Sequence, residues 1–197
     1  MKILLLSPYP EKIFETVSQF GDEVTIYNDK IDSTSAISKA HWDFWISFGY
    51  RFKINSTLIE TFKHKIINLH ISYLPWNAGC DPNFWSFYEG TPKGVTIHWI
   101  DKGIDTGDII VQEKVAMENS DTLLTSYNRL QTAVVSLFND HWPKIRSGKS
   151  PSSQQQTGGT YHRSQEAKPH FGRLPLGWDT PVSEVEAMGL QAKKLIA

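Results

Sequence analysis

Short apolar runs, repeated along the first third of the chain, constrain the fold more than any other feature. Four runs are predicted to be strands, at residues 2–6, 23–27, 44–48 and 66–70, and the first and last of them are predicted to be buried. Two segments between these strands, residues 11–20 and 55–62, have apolar residues at helical spacing. Gly21 follows the first of these predicted helices, and Gly49 follows the third predicted strand. Strands that alternate with helices predict an α/β fold with a mostly parallel, twisted sheet flanked by helices.

The middle of the chain continues this pattern less regularly. Residues 94–100 and 109–112 are predicted strands, joined by a glycine-containing loop. Residues 72–93 are rich in Pro, Gly, Asn and Trp, which predicts a long loop.

The last part begins with a long amphipathic segment. Residues 121–146 repeat apolar side chains every three or four positions, which predicts a helix of about 25 residues. Residues 147–160 are polar and low in complexity, typical of a solvated linker, and 180–196 suit a short closing helix. We therefore expect a domain over 1–146 and a linker with a C-terminal extension over 147–197 that packs on it.

Composition and charge exclude several classes of protein. The formal net charge is −1, so no overall field attracts nucleic acid or an anionic membrane. A single cysteine, Cys80, cannot form an internal disulfide, which suits a reducing compartment. No run approaches the roughly 18 apolar residues of a membrane helix. These features predict a cytoplasmic protein that binds neither nucleic acid nor membrane.

Asn68 and His70 are the residues most indicative of chemistry. They lie two apart at the end of the fourth predicted strand, so their side chains project from the same face. Ligands bind outside the carboxyl ends of such strands. Asp105, between Gly103 and Gly107, adds a carboxylate. An amide donor, an imidazole and a carboxylate can stabilise an oxyanion and move a proton.

Each of these residues also has a structural interpretation. A lone histidine at a strand end is more often structural than catalytic, and Asp105 fits an ordinary turn. A buried Asn68 without a function would be costly unless fully hydrogen-bonded. The aromatic residues Trp76, Trp85 and Tyr88 fit core packing and flat binding platforms equally well.

Several other chemistries fit the sequence poorly. The spacing of His64, His70 and His98 matches no common zinc pattern, so we predict no metal. Cys80 lacks the neighbours of a thiol nucleophile. The turn after the first strand, residues 7–10, is neither a dinucleotide-binding nor a phosphate-binding glycine loop.

Taken together and in order, several stretches of the chain resemble the folate-dependent formyltransferase family over roughly residues 1–146. They are Asn-Leu-His-Ile-Ser-Tyr-Leu-Pro at 68–75, Gly79, Gly-Val-Thr-Ile-His at 94–98 and Gly-Ile-Asp-Thr-Gly-Asp-Ile-Ile at 103–110. The resemblance implies a Rossmann-like domain that passes the formyl group of 10-formyltetrahydrofolate to an amine, without a metal. It implies Asn68, His70 and Asp105 as the catalytic residues.

The same resemblance implies two binding regions. The pterin pocket of the family corresponds to two loops of this chain, represented by Tyr50, Arg51, Phe52, Lys53, Asp101, Gly103 and Ile104. The acceptor substrate corresponds to the loop after the catalytic histidine, from which we select Ser72, Trp76, Asn77 and Trp85.

Within the family, residues 74–77, 81–85 and 158–162 are most similar to two branches. One is the sugar N-formyltransferases, and the other is the formylation domain of linear gramicidin synthetase. The absence of a carrier region favours the sugar branch. We expect a nucleotide-linked amino sugar as acceptor, such as a UDP- or dTDP-4-amino-4,6-dideoxyhexose for bacterial surface glycans, and a possible homodimer.

Two departures and several alternatives remain. Ile71 stands where the family usually has proline, and Ala78 where many relatives have a basic residue, which leaves the acceptor open. Other acceptors are an aminoacyl carrier and glycinamide ribonucleotide, although the latter enzymes carry a glycine loop after the first strand. Formylation of initiator tRNA is disfavoured, because the sequence has no room for the C-terminal nucleic-acid domain usual in those enzymes and no basic patch. A non-catalytic module that binds folate or a nucleotide sugar is the alternative from a different class.

Overall fold

The computed structural model describes residues 1–32 and 34–196. Its strands form a six-stranded sheet in the order β2-β1-β3-β4-β6-β7 and a two-stranded sheet of β5 and β8. The strands are β1 (Lys2–Leu6), β2 (Glu23–Tyr27), β3 (Phe44–Phe48), β4 (Ile66–His70), β5 (Ala78–Gly79), β6 (Gly94–Trp99), β7 (Ile109–Lys114) and β8 (Tyr161–His162).

The first four strands confirm the predicted parallel sheet. β1 pairs in parallel with β2 and with β3, and β3 pairs in parallel with β4. The four residues Ile3 to Leu6 are completely buried, and all of β3 is buried, as expected of strands covered on both faces. The register places Ser47 opposite Asn68, so the carboxyl ends of β3 and β4 lie at the same edge of the sheet.

The described helices are numbered in chain order. They are α1 (Phe14–Ser18), α2 (Ala36–Lys39), α3 (Ser56–Thr61), α4 (Pro82–Glu89), α5 (Leu123–Arg146), α6 (Lys168–Phe171) and α7 (Val182–Ile196). The long amphipathic helix and the closing helix were both predicted, and α5 has 24 residues. Within the described residues, no helix has both the length and the apolar character of a membrane span.

The prediction of one long loop over residues 72–93 is wrong. This segment contains β5 and the eight-residue helix α4. Its sequence, Pro-Asn-Phe-Trp-Ser-Phe-Tyr-Glu, is poor in strong helix formers, so propensity gives little signal. Six of its eight residues are buried, and burial against the surrounding chain stabilises the helix instead. Asp81 and Gly90, both with left-handed backbone angles, bound it.

The chain forms two compact units. Unit 1 consists of residues 1–70, 97–111 and 135–154, and unit 2 of the remainder. The core of unit 1 includes Trp45, Leu58 and Ile66, whereas that of unit 2 includes aromatic residues of α4 and Val185. The predicted division at residue 146 stays a prediction.

The predicted linker is hydrogen-bonded at two points. In unit 1, the N–H of Ile109 donates to the Ser153 carbonyl (2.8 Å) and the N–H of Ser153 donates back to Ile109 (2.9 Å). In unit 2, the N–H of Ala78 donates to the carbonyl of Thr160 (2.9 Å), next to the β5–β8 pair. Residues 147–160 are therefore attached to the folded units at these positions.

A bidentate ion pair between Arg146 and Asp22 holds the C-terminal end of α5 in unit 1. Arg146 donates from Nε and Nη2 to the two carboxylate oxygens of Asp22, at 2.7 and 2.6 Å. The Asp22 side chain is 1% exposed and that of Arg146 25%. The Arg146 guanidinium holds the pKa of the Asp22 carboxyl below its ordinary value. Folding therefore favours the ionised, paired form of the Asp22 carboxyl.

We expect Arg146→Met to lower the free energy of unfolding by roughly 2 kcal/mol at neutral pH, because it removes two charge-assisted hydrogen bonds from the buried Asp22 carboxylate and leaves it, among the described residues, only the N-terminal ammonium as a cationic partner, 2.6 Å away. A lowered carboxyl pKa contributes stability above the unfolded value of about 3.9 and loses it as the pH falls through the folded value. The deficit of the variant should therefore shrink in acid below about pH 4.

Urea denaturation at both pH values measures this effect. Lys2→Ala, which removes an exposed ion pair with Glu23, is the matched control and should change stability by less than about 0.5 kcal/mol. A variant as stable as the wild type at neutral pH would contradict the expected stabilisation by this pair.

Candidate active site

The strand β4 presents Asn68 and His70 on one face, as the alternation of strand side chains requires. Both follow an apolar start to the strand, Ile66 and Ile67, which are buried in the sheet. The neighbouring parallel strand β3 ends at Phe48 and is followed by Gly49 with φ +69°. The two polar residues thus occupy the carboxyl end of a parallel strand, the usual location of a site in such sheets.

Asp105 reaches this position from the loop between β6 and β7. The Asp101 carboxylate holds the loop by accepting from the N–H of Gly103 (3.0 Å) and the hydroxyl of Thr106 (2.6 Å). Gly107 lies against the carbonyl of Trp99, where an added Cβ would be only 1.8 Å from that oxygen. Asp105 itself has φ +53°, an unusual left-handed angle for a residue other than glycine.

The structure brings the three predicted catalytic side chains together in unit 1. The amide of Asn68 donates from Nδ2 to Asp105 Oδ1 at 3.1 Å. His70 Nε2 lies 3.7 Å from Asp105 Oδ2. The His70 and Asp105 side chains are only 9% and 13% exposed, so water screens the interaction between the two groups little. One carboxylate therefore faces an amide donor and an imidazole at the same time.

A second imidazole, that of His98 on β6, completes the group, and sequence reasoning missed it. Its Nε2 lies 3.4 Å from both Asn68 Nδ2 and Asp105 Oδ1, and the side chain is 1% exposed. From the sequence, His98 was considered as a metal ligand and as the last residue of the 94–98 stretch that resembles the family, and no catalytic function was assigned to it. Its position on the strand that neighbours β4 in the sheet was the available signal.

The tautomer of His98 follows from its backbone contact. Its Nδ1 lies 2.9 Å from the carbonyl of Trp99, which can only accept, so Nδ1 carries a proton. Nε2 can then accept from the Asn68 amide when His98 is neutral, or donate to Asp105 when His98 is a cation. Among the described residues, no His, Cys, Asp and Glu group has the arrangement of a metal site.

The residues predicted for the pterin pocket all belong to unit 1. Arg51, Phe52 and Lys53 are exposed, and Phe52 is 43% exposed with its ring 5.5 Å from that of Tyr50. The Tyr50 hydroxyl is already engaged, because it accepts from Ile31 N–H and donates to the Asp29 carbonyl. Burial raises the pKa of Tyr50, which keeps the hydroxyl protonated.

The second predicted pterin-binding loop is also exposed in part. Asp101 and Gly103 are exposed and Ile104 is half-buried. The Asp101 carboxylate shapes its own loop, as described above, rather than standing free. Their contact with a pterin stays a prediction.

The residues predicted to contact the acceptor lie in unit 2. Ser72 is buried, and its hydroxyl has no hydrogen-bond partner among the described residues. Trp76 is half-buried. Trp85 is buried in α4, and its ring stacks on that of His162 at 3.9 Å between centroids and an 8° angle. The buried Trp85 thus packs in the interior of unit 2, which is one of its two predicted interpretations.

Asn77 has a structural function in the same unit. It is completely buried with φ +55°, and its amide donates to Glu89 (3.1 Å) while its oxygen accepts from Thr91 (2.7 Å). Thr160 also donates to Glu89 (2.9 Å) and accepts from the Asn77 N–H (3.0 Å). These bonds occupy both ends of the Asn77 amide, so they do not favour the predicted contact with substrate.

A comparison with known proteins places this geometry in context. The family model described as formyl transferase matches residues 16–140. The formyltransferase PseJ from Anoxybacillus kamchatkensis, crystallised with UDP-4,6-dideoxy-4-formamido-L-AltNAc and tetrahydrofolate, is 49% identical. The match covers 96% of this chain and 100% of that chain, with a TM-score of 0.92.

More distant structures share the fold. A 4-N formyltransferase from Francisella tularensis is 22% identical over 95% of this chain and 85% of that chain, with a TM-score of 0.77. A methionyl-tRNA formyltransferase from Clostridium thermocellum is 18% identical over 86% and 74%, with a TM-score of 0.66. With the family match, the near full-length likeness to PseJ and the predicted Rossmann-like fold confirmed, the chain belongs to the formyl transferase family.

Proposed function

We propose that this protein transfers the formyl group of 10-formyltetrahydrofolate to the amine of a nucleotide-linked amino sugar. The observation that carries the proposal is the convergence of Asn68, His70 and His98 on the carboxylate of Asp105. The likeness to PseJ, crystallised with a UDP-linked formamido sugar and tetrahydrofolate, supports the choice of acceptor and of formyl donor.

The group in unit 1 has the parts that formyl transfer requires. 10-Formyltetrahydrofolate supplies the formyl group, whose oxygen gains negative charge as an amine attacks its carbon. Asn68 and His70 donate hydrogen bonds to that oxygen, since an amide and an imidazole N–H are the donors available. Asp105 holds His70 and accepts the proton that the amine loses. The new carbon–nitrogen bond to the amine forms, the bond from the formyl carbon to N10 breaks, and the proton passes to N10 so that tetrahydrofolate leaves.

The residues present also fit a folate. An exposed aromatic ring, Phe52, and the cations Arg51 and Lys53 follow β3, whose carboxyl end lies beside that of β4. A flat ring offers stacking for a pterin, and the cations suit the carboxylates of a folate tail. We assign Tyr50 to packing beneath Phe52, and the loop of Asp101, Gly103 and Ile104 to the edge of this pocket.

The finer description of the acceptor is also a proposal. We expect a UDP-linked 4-amino-4,6-dideoxyhexose destined for surface glycans, made in the cytoplasm of a bacterium. The formamido group at position 4 of the PseJ ligand supports this choice. The domain division at residue 146 and a homodimer belong to the same proposal. A panel of UDP- and dTDP-linked 4-amino sugars, with glycinamide ribonucleotide as the alternative acceptor, separates the candidates.

Replacing Asn68, His70 or Asp105 by alanine should lower kcat by roughly 100-fold or more, because each removes a donor or its support in the transition state. The measurement is acceptor-dependent release of tetrahydrofolate with the amino sugar that gives turnover. Asp108→Ala, in the same loop, is the matched control for Asp105 and should retain most activity. A purified His70→Ala enzyme with near wild-type turnover would refute the assignment.

The same assay distinguishes an enzyme from a binding module. A non-catalytic module would bind tetrahydrofolate or the nucleotide sugar and show no acceptor-dependent release of product. An enzyme shows release that depends on both substrates and on His70.

His98→Ala should lower kcat by about tenfold and leave the KM for the nucleotide sugar nearly unchanged, because His98 contacts Asn68 and Asp105. His64→Ala, an exposed histidine of unit 1, is the control and should change neither quantity. A kcat in His98→Ala equal to that of the wild type would exclude this positioning function.

A further inference from the structure

The loop of residues 100–108 joins β6 to β7 in unit 1 and carries Asp105. Its two ends are joined, because the N–H of Trp99 donates to the carbonyl of Asp108 at 3.0 Å. Asp105 lies within the loop at φ +53°, a left-handed angle that aspartate tolerates better than most residues but does not favour. Contacts outside Asp105 must therefore hold its backbone in this conformation.

The residue that follows Asp105 is held by a short hydrogen bond. Thr106 Oγ1 donates to Asp101 Oδ1 at 2.6 Å, and the N–H of Gly103 donates to the same oxygen at 3.0 Å. Hydrogen bonds to a carboxylate are shorter and stronger than those to a neutral acceptor. Because the peptide bond between Asp105 and Thr106 is planar, fixing Thr106 limits the backbone rotations that are left to Asp105.

Two glycines of the loop make room for this arrangement. A Cβ at Gly103 would lie 1.9 Å from Thr106 Oγ1, so a side chain there would displace the hydroxyl from Asp101. A Cβ at Gly107 would lie 1.8 Å from the carbonyl oxygen of Trp99, which shows how closely the backbone after Thr106 approaches the end of β6. The backbone on the C-terminal side of Asp105 is therefore held by a side-chain bond and by close packing.

We propose that Thr106 and Asp101 are positioning residues for the catalytic Asp105. Their hydrogen bond keeps Asp105 in its left-handed conformation. The Asp105 carboxylate then stays 3.1 Å from the Asn68 amide and 3.7 Å from the His70 imidazole. The inference rests on the proposed function, and it gives the Asp101 carboxylate a different function from the pterin contact that the resemblance to the family predicts.

The two functions of Asp101 differ in the kinetic constant that they affect. Asp105 acts on the proton in the transition state, and a misplacement of about 1 Å can lower a rate by about 100-fold. Loss of one exposed hydrogen bond permits only part of such a displacement, so we expect a decrease in kcat of about tenfold. A pterin contact would instead weaken folate binding and leave kcat nearly unchanged.

Variants of Thr106 test the hydrogen bond with little change in shape. Thr106→Val removes the hydroxyl and should lower kcat about tenfold, whereas Thr106→Ser keeps it and should stay within about twofold of the wild type. The Kd of tetrahydrofolate, measured by isothermal titration, should be equal in both. Lys102→Met removes an exposed ion pair between the same loop and Glu60 of α3, and this matched control should retain wild-type turnover. Wild-type kcat in Thr106→Val would overturn the proposal.

Variants of Asp101 separate positioning from a pterin contact. Asp101→Ala should lower kcat about tenfold and leave the Kd of tetrahydrofolate unchanged. Asp101→Asn keeps an acceptor oxygen for Thr106 and should retain more activity than Asp101→Ala. A raised Kd in Asp101→Ala with unchanged kcat would overturn the proposal in favour of the pterin contact.

A double variant tests whether Thr106 acts through Asp105. The variant that combines Asp105→Ala with Thr106→Val should be no slower than Asp105→Ala alone, because the group that Thr106 positions is already absent. A further loss of about tenfold in the double variant would mean that Thr106 acts independently of Asp105, and it would overturn the proposal.

The imidazole NMR signals of His70 and His98 provide a measurement that needs no turnover, since both rings face the Asp105 carboxylate. Thr106→Val should move both signals toward their positions in Asp105→Ala, and Thr106→Ser should not. Moved signals in a protein that transfers no formyl group would support the positioning function and contradict the proposed reaction. Unmoved signals and unchanged kcat in a protein that transfers the formyl group would overturn the positioning function alone.

Discussion

The candidate active site depends on one carboxylate being held where three other polar side chains end. Asp105 lies within 3.1 to 3.7 Å of the Asn68 amide, the His70 imidazole and the His98 imidazole. Its left-handed backbone and the close approach of Gly107 to Trp99 define the loop that delivers it. Strained backbone of this kind persists only where the surroundings hold it, and it is common at functional sites. Without this loop conformation, Asn68, His70 and His98 would lack the Asp105 carboxylate.

The contrast between the two units is chemical. Unit 1 combines the parallel strands with a cluster of groups that can donate, accept and move protons. Unit 2 is built around an aromatic helix, α4, and a buried polar network in which Glu89 connects Asn77 and Thr160. The atoms of this network are bonded to one another, so the network stabilises unit 2.

For two of the predicted substrate residues the structure shows contacts within unit 2, and their contact with the acceptor stays a prediction. Asn77 and Trp85 are residue types that often bind ligands, but both are buried among partners of their own unit. A sequence gives the side chain, but the satisfaction of its hydrogen bonds depends on neighbours distant in the chain. For Asn77 these neighbours are Glu89, Thr91 and Thr160.

Local pattern alone determined the four parallel strands, the helix α5 and the pairing of Asn68 with His70 on one face. Burial repeats every second residue in a strand and every 3.6 residues in a helix. Both repeats are visible within a short stretch, so these features can be predicted from local sequence. The order of strands, the left-handed Asp105, the contribution of His98 and the helix α4 were decided by tertiary structure. Each depends on contacts between segments far apart in the sequence. Local propensity does not include the free energy of those contacts.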